Sequence, residues 1–209
     1  ASADVSSLFE YGNTMRDFEF RKKILELHGF DYFMSPENVL IASSSQQASS
    51  LVLQALNVKT AVIQQPSYFG SNRVLKELGI ELIEADYVSL VEDRPLKLHS
   101  GPLFKLEDGN YFITSNYQNP TGESVDEWSK QKLANMAVEG KALVIEDNPY
   151  DLIYYRMAPT TIFELSQGIN SGYLGSLSKV LAPGLRLSYI ISNTDLISKI
   201  KSKKITSDL

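Results

Sequence analysis

Short apolar runs of strand length alternate along this chain with longer amphipathic segments. The runs cover residues 39–42, 61–64, 81–84, 111–115, 142–146, 172–176 and 187–192. Between them, the spacing of apolar residues predicts helices over 16–28, 46–56, 68–78, 125–139, 161–165 and 196–203. In the second of these, Leu51, Val52, Ala55 and Leu56 carry the helical period. Strands alternating with helices predict a sheet covered on both faces. The unbroken run Ala142-Leu143-Val144-Ile145 fits a strand buried on both sides. The expected fold class is α/β: a three-layer sandwich with a mainly parallel seven-stranded sheet. Residues 86–109, with Pro95 and Pro102, are the least regular stretch and are expected to form an excursion between two strands.

Ligands of such sheets bind beyond the carboxyl ends of the strands. The unusual polar residues of this chain fall at those ends. Ser43-Ser44-Ser45-Gln46-Gln47 follows the first run, and Gln65-Pro66-Ser67-Tyr68 the second. Asn116-Tyr117-Gln118-Asn119-Pro120-Thr121-Gly122 follows the fourth. Asp147-Asn148-Pro149-Tyr150 and Ser176-Leu177-Ser178-Lys179 follow the fifth and sixth. Five polar clusters at five strand ends point to one shared site.

Composition narrows the field. The 209 residues are 43% hydrophobic and 22% charged, enough for one sizeable core with a small annex. Net charge is −5, and the basic run Lys199 to Lys204 reads as the solvated end of a helix, not a nucleic-acid footprint. There is no cysteine, which excludes disulfides and thiolate metal sites. His28 and His99, the only histidines, are far apart and are expected at the surface, so no metal site is expected. No apolar stretch is long enough to span a bilayer and no signal peptide is apparent, so a soluble, cytoplasmic protein is expected.

Each polar cluster has an ordinary reading and a chemical one. Ser44-Ser45-Gln46 is an N-cap, or an anion site built from free helix N–H groups and hydroxyls. Tyr68 is a structural aromatic, or a ring offered to a ligand. Asn119-Pro120-Thr121-Gly122 is a turn, although a turn does not itself require Asn119. Asp147 ends a buried strand, where a carboxylate needs a cationic or N–H partner. A pyridinium nitrogen would supply one, and Tyr150 can reach the same ligand. Lys179 is a surface lysine in a loop leading to a helix, or an amine poised to form a Schiff base with an aldehyde cofactor. The phosphate of such a cofactor would lie on the nearby serines and Arg186.

Taken together, Ser45-Gln46-Gln47, Pro66-x-Tyr68, Gln118-Asn-Pro-Thr-Gly122, Glu146-Asp147-x-Pro149-Tyr150, Ser176-x-Ser-Lys179 and Ala182-Pro-Gly-Leu-Arg186 resemble the fold-type I, class I aminotransferases that use pyridoxal 5′-phosphate. The kynurenine/2-aminoadipate aminotransferase group is most similar. The aminotransferase-like effector domains of MocR-type GntR regulators resemble the chain equally. The resemblance implies that the last strand runs antiparallel to its neighbours. It implies that Lys179 forms the Schiff base and moves the substrate proton, and that Asp147 pairs with the ring nitrogen. It further implies that Asn119 and Tyr150 bond the ring 3′ oxygen and that Tyr68 stacks on the ring. Ser45, Gln46, Ser176, Ser178 and Arg186 would bind the phosphate. Tyr11 would reach the phosphate of a neighbouring subunit, which implies a homodimer. The implied substrates are an amino acid and a 2-oxo acid. DNA is an implied partner only if a winged helix precedes this domain.

Several positions depart from the family. Arg16, Ser44 and Ser188 stand where relatives carry glycine, and the link between Leu56 and Ala61 is short. Residues 1–209 are expected to be the large cofactor-binding domain alone, without the small C-terminal domain and without an N-terminal arm or winged helix. The arginine that grips the substrate carboxylate in relatives would lie in that small domain, so the domain alone is expected to transaminate poorly.

Overall fold

Alternate residues of the central strands turn to opposite sides of the sheet, and both sides are apolar. In this computed structural model, which describes residues 18–64, 68–85, 103–106 and 110–208, both sides are covered by helices. The strands are β1 (Val39–Ala42), β2 (Thr60–Gln64), β3 (Glu81–Ala85), β4 (Leu103–Leu106), β5 (Tyr111–Ile113), β6 (Val144–Asp147), β7 (Ser171–Ser176) and β8 (Ser188–Ser192). The helices are α1 (Phe18–His28), α2 (Ser45–Ala55), α3 (Phe69–Glu77), α4 (Glu127–Val138), α5 (Ile162–Leu165) and α6 (Thr194–Asp208). Leu40, Ala42, Phe112, Ile145, Leu174 and Ile190 face α2, α3 and α6. Tyr111, Ile113 and Val144 face α4 and α5, while Val39, Tyr173, Tyr189 and Ile191 face α1 and Phe163.

The expected seven-stranded sheet is corrected to eight strands among the described residues, in the order β1-β8-β7-β6-β5-β4-β2-β3. The added strand, β4, lies within the irregular stretch 86–109, whose four-residue run Leu103–Leu106 is too short to stand out as periodic. Four neighbouring pairs are antiparallel and three parallel, so the sheet is mixed. Most strands still share one direction, because only β4 and β8 are reversed. The last strand runs antiparallel, as the resemblance implies. The carboxyl ends of β1, β5, β6 and β7 therefore open on one edge.

The departures from glycine cost little where they are described. Ser44 is extended (φ −168°, ψ 160°), a conformation open to any residue. Ser188 lies within a strand and donates its hydroxyl to the Ala42 carbonyl at 3.3 Å. The short link after α2 closes through Asn57 at φ 53°, the left-handed role that glycine usually fills. Arg16 lies outside the described residues.

His28 is not the surface residue expected. Its ring stacks on Phe30 (5.1 Å) and meets Tyr173 edge-on (4.9 Å), and Nε2 bonds the Tyr189 hydroxyl at 2.5 Å. His99 lies outside the described residues. Tyr189 in turn lies across from Gly175, where any Cβ would run into the Tyr189 ring.

Two predictions arise from this packing. Gly175→Ala must displace that ring or the end of β7, an overpacking cost of about 1–3 kcal/mol. Thermal denaturation should show a lower midpoint; an unchanged midpoint would mean that the ring yields freely. Burial lowers the His28 pKa from 6.5 to about 4. Between those values the unfolded chain binds a proton that the folded chain refuses, so this contribution to stability is lost as pH falls through the window. His28→Gln should therefore lose less stability than wild type between pH 6.5 and pH 4. Parallel curves would show that His28 titrates without constraint.

Candidate active site

The shared edge carries a cleft of about 270 Å³. Ten of the residues singled out in the sequence line it: Ser45, Gln46, Tyr68, Asn119, Asp147, Tyr150, Ser176, Ser178, Lys179 and Arg186. Tyr11, and with it the contact to a second subunit, lies outside the described residues. Ser71 and Thr114 also line the cleft and were not foreseen. Ser71 sits in the first turn of α3 close after Tyr68, which was a usable signal. Thr114 merely continues an apolar run, and no pattern marks it.

Two adjacent carboxylates end β6 and meet opposite fates. Glu146 is fully buried, yet its oxygens accept from Ser115 Oγ (2.5 Å), Ile162 N (2.9 Å) and Phe163 N (2.6 Å). Asp147 is buried on the cleft side, and its Oδ1 has no hydrogen-bond partner among the described residues. Burial alone raises its pKa from 3.8 to about 7. An orphaned carboxylate oxygen at the floor of a cleft is costly unless a ligand brings a donor or a cation to it.

The opposite wall suits an anion. Ser44 caps α2, its hydroxyl accepting Gln47 N at 3.1 Å, while Gln47 Oε1 accepts from Ser43 N at 2.8 Å. Capping and anion binding coexist, because the remaining N–H groups of the first turn have no intrahelical acceptor. At the end of β7, Ser176 Oγ accepts Ser178 N at 3.2 Å and tightens the turn that presents Lys179. A 3-10 turn, Pro183–Leu185, then leads to Arg186, held in the left-handed region at φ 51°. Such a conformation is uncommon for a residue other than glycine, and it fixes where the guanidinium leaves the chain.

Lys179 is exposed, three residues past the end of β7, with Nζ 5.7 Å from the centre of the Tyr150 ring. Its side chain thus requires no buried anion and is open to an incoming ligand. The Asn119 turn is closed by its neighbours: Gln118 N donates to Glu123 O (2.8 Å), and Thr121 N to Gln118 Oε1 (3.2 Å). The Asn119 amide takes no part in those bonds.

Asp147 gives a prediction that needs no ligand. Because its folded pKa is raised, stability falls as pH rises from 3.8 to about 7. This opposes the effect of His28, so each group is read from its own variant. Without added ligand, Asp147→Asn should be more stable than wild type at pH 8, by thermal denaturation. A lower midpoint for the variant at pH 8 would show that the ionised carboxylate already has a partner.

The family described as aminotransferase class I and II matches residues 2–204. A 2-aminoadipate transaminase of Thermus thermophilus is 30% identical over 181 residues, 83% of this chain and 45% of the relative. The HTH-type transcriptional regulator TauR of Rhodobacter capsulatus is 27% identical over 175 residues, 82% of this chain and 34% of the relative. The solved α-aminoadipate aminotransferase LysN of Thermus thermophilus, complexed with N-(5′-phosphopyridoxyl)-L-leucine, superposes with a TM-score of 0.75 at 27% identity. That superposition covers 96% of this chain and 51% of the other. The chain thus spans about half the length, or less, of the relatives it matches.

Proposed function

The chain belongs to the class I and II aminotransferase family, and we propose that its cleft binds pyridoxal 5′-phosphate and serves transfer of an amino group between an amino acid and a 2-oxo acid. The observation that carries this reading is the orphaned Oδ1 of Asp147, on the floor of the cleft that Lys179 also lines. A protonated ring nitrogen would satisfy that oxygen, and the serines, Arg186 and the α2 N-terminus suit a phosphate. The residues present therefore fit the cofactor.

When bound, pyridoxal phosphate supplies an electrophilic aldehyde carbon and a ring that accepts electrons. The chain supplies the rest. Asp147 holds the positive charge on the ring nitrogen. Asn119 and Tyr150 donate hydrogen bonds to the 3′ oxygen, and Tyr68 covers a ring face. Ser45, Gln46, Ser176, Ser178 and Arg186 hold the phosphate. Lys179 would be the amine that holds the aldehyde, and its Nζ would carry the proton exchanged with the substrate Cα. Residues 1–209 would be the large domain of a homodimeric protein, as the resemblance implies; Tyr11, the residue implied for the neighbouring phosphate, lies outside the described residues.

A second reading has its own support, because relatives named as HTH-type transcriptional regulators match the chain about as well as the transaminases. In that reading the same cleft senses the cofactor or an amino-acid adduct of it and acts on DNA through another domain. Fold alone does not separate the two.

Borohydride treatment of the protein with pyridoxal phosphate should fix the cofactor irreversibly to Lys179, located by peptide mass. Lys179→Ala should bind it reversibly and retain nothing. Labelling at another lysine, or none, would overturn the cofactor reading. Turnover of amino-acid donors with 2-oxoglutarate by the intact protein would favour the enzyme. Cofactor binding without turnover, coupled to DNA binding, would favour the regulator.

A further inference from the structure

Backbone pairing between β5 and β6 ends at Ile113 opposite Glu146. Past that point the strand leads into the turn that carries Asn119, and side chains take over from the ladder. Asn148 is the first of them. Its Oδ1 accepts from Ser115 N (3.0 Å) and Asn116 N (3.3 Å), as a neighbouring strand's carbonyl would. Its Nδ2 donates to Ser115 Oγ (2.9 Å) and to Glu146 Oε1 (3.3 Å). Its own N–H is tied to Leu174 O on β7 (3.0 Å), so it is anchored to the sheet.

Lys130 holds the same loop from α4. This lysine is only 2% exposed. Its Nζ donates to Asn116 Oδ1 (2.8 Å), Thr160 O (3.0 Å) and Glu127 Oε1 (3.1 Å). Asn116 Nδ2 adds a bond to Thr160 O (3.2 Å). A buried Nζ with three acceptors around it has little freedom, and so has the loop that it grips.

We propose that Lys130 and Asn148 are positioning residues, which hold Ser115–Asn116 from behind the sheet and thereby set where Asn119 stands in the cleft it shares with Asp147. Neither side chain lines the cleft. An amide at 148 suits this task better than a carboxylate, since it accepts from the loop and donates to Glu146 at once. The consequence for cofactor rests on the pyridoxal phosphate reading, whereas the holding of the loop does not.

The test uses Lys130→Met, the milder Lys130→Gln, and Asn148→Ala. Ile200→Ala, a truncation in the α6 core, serves as a control for simple loss of stability. Without added cofactor, amide hydrogen exchange across 115–119 should quicken by about tenfold or more in the clamp variants, while β7 amides keep the wild-type rate. The control should show no such local change. Exchange over 115–119 that is unchanged, or that rises only in step with β7, overturns the proposal. If Lys130→Met does not fold, Lys130→Gln and Asn148→Ala decide.

With pyridoxal phosphate added, the clamp variants should bind roughly tenfold more weakly. The pH midpoint of the visible band of the bound cofactor should rise by roughly half a unit or more, since a donor to the 3′ oxygen favours its anionic form. The control should leave that midpoint in place. A midpoint unmoved in every clamp variant overturns the positioning of Asn119. Failure of wild type to bind pyridoxal phosphate overturns the cofactor reading, and hydrogen exchange then decides the clamp by itself.

Discussion

A carboxylate stays ionised inside a protein only at a high cost unless it has a partner, and Asp147 is buried with one oxygen unpartnered among the described residues. Its neighbour Glu146 is partnered instead: a hydroxyl and two backbone N–H groups converge on it. The two residues differ by one position on one strand, hence by face. Glu146 turns toward α5 and is used up in joining that short helix to the sheet. Asp147 turns into the cleft, where the proposed cofactor would meet it. The rest of the site can be understood as what such a ligand needs: an amine, an anion cradle and a ring wall.

Strand direction is what brings these parts together. β1, β5, β6 and β7 point the same way, so the residues after each of them reach one edge. The reversed strand β8 lies between β1 and β7 and separates the serines of α2 from the Lys179 turn. The cleft spans that gap. Because β5 contributes only three residues to the ladder, its outgoing loop must be held by side chains. That is the place where buried polar groups accumulate, and the proposed roles of Lys130 and Asn148 follow from it.

Much of this was legible in the sequence because burial on both faces leaves unbroken apolar runs, and five of those runs ended in polar clusters. The seven strands so marked all appear. β4 was not legible, since four residues in an irregular stretch carry too little pattern. The site residues were legible as a set through their motifs, and ten of them line one cleft. The environment of each was not. Enclosure of His28 depends on Phe30, Tyr173 and Tyr189, two of which arrive from distant parts of the chain. The same is true of Thr114, which enters the cleft by geometry alone.

The central claim is that Asp147 is the counter-charge for a cationic ring nitrogen. Infrared difference spectroscopy of pyridoxal phosphate binding, at pH 6 and with Asp147→Asn as control, tests it directly. At that pH, below the value of about 7 set by burial, the carboxyl is largely protonated before binding. The account predicts loss of one protonated carboxyl band and gain of one carboxylate band on binding, both missing in the variant. A carboxyl that stays protonated in the complex, or the same spectral change in Asp147→Asn, would contradict it.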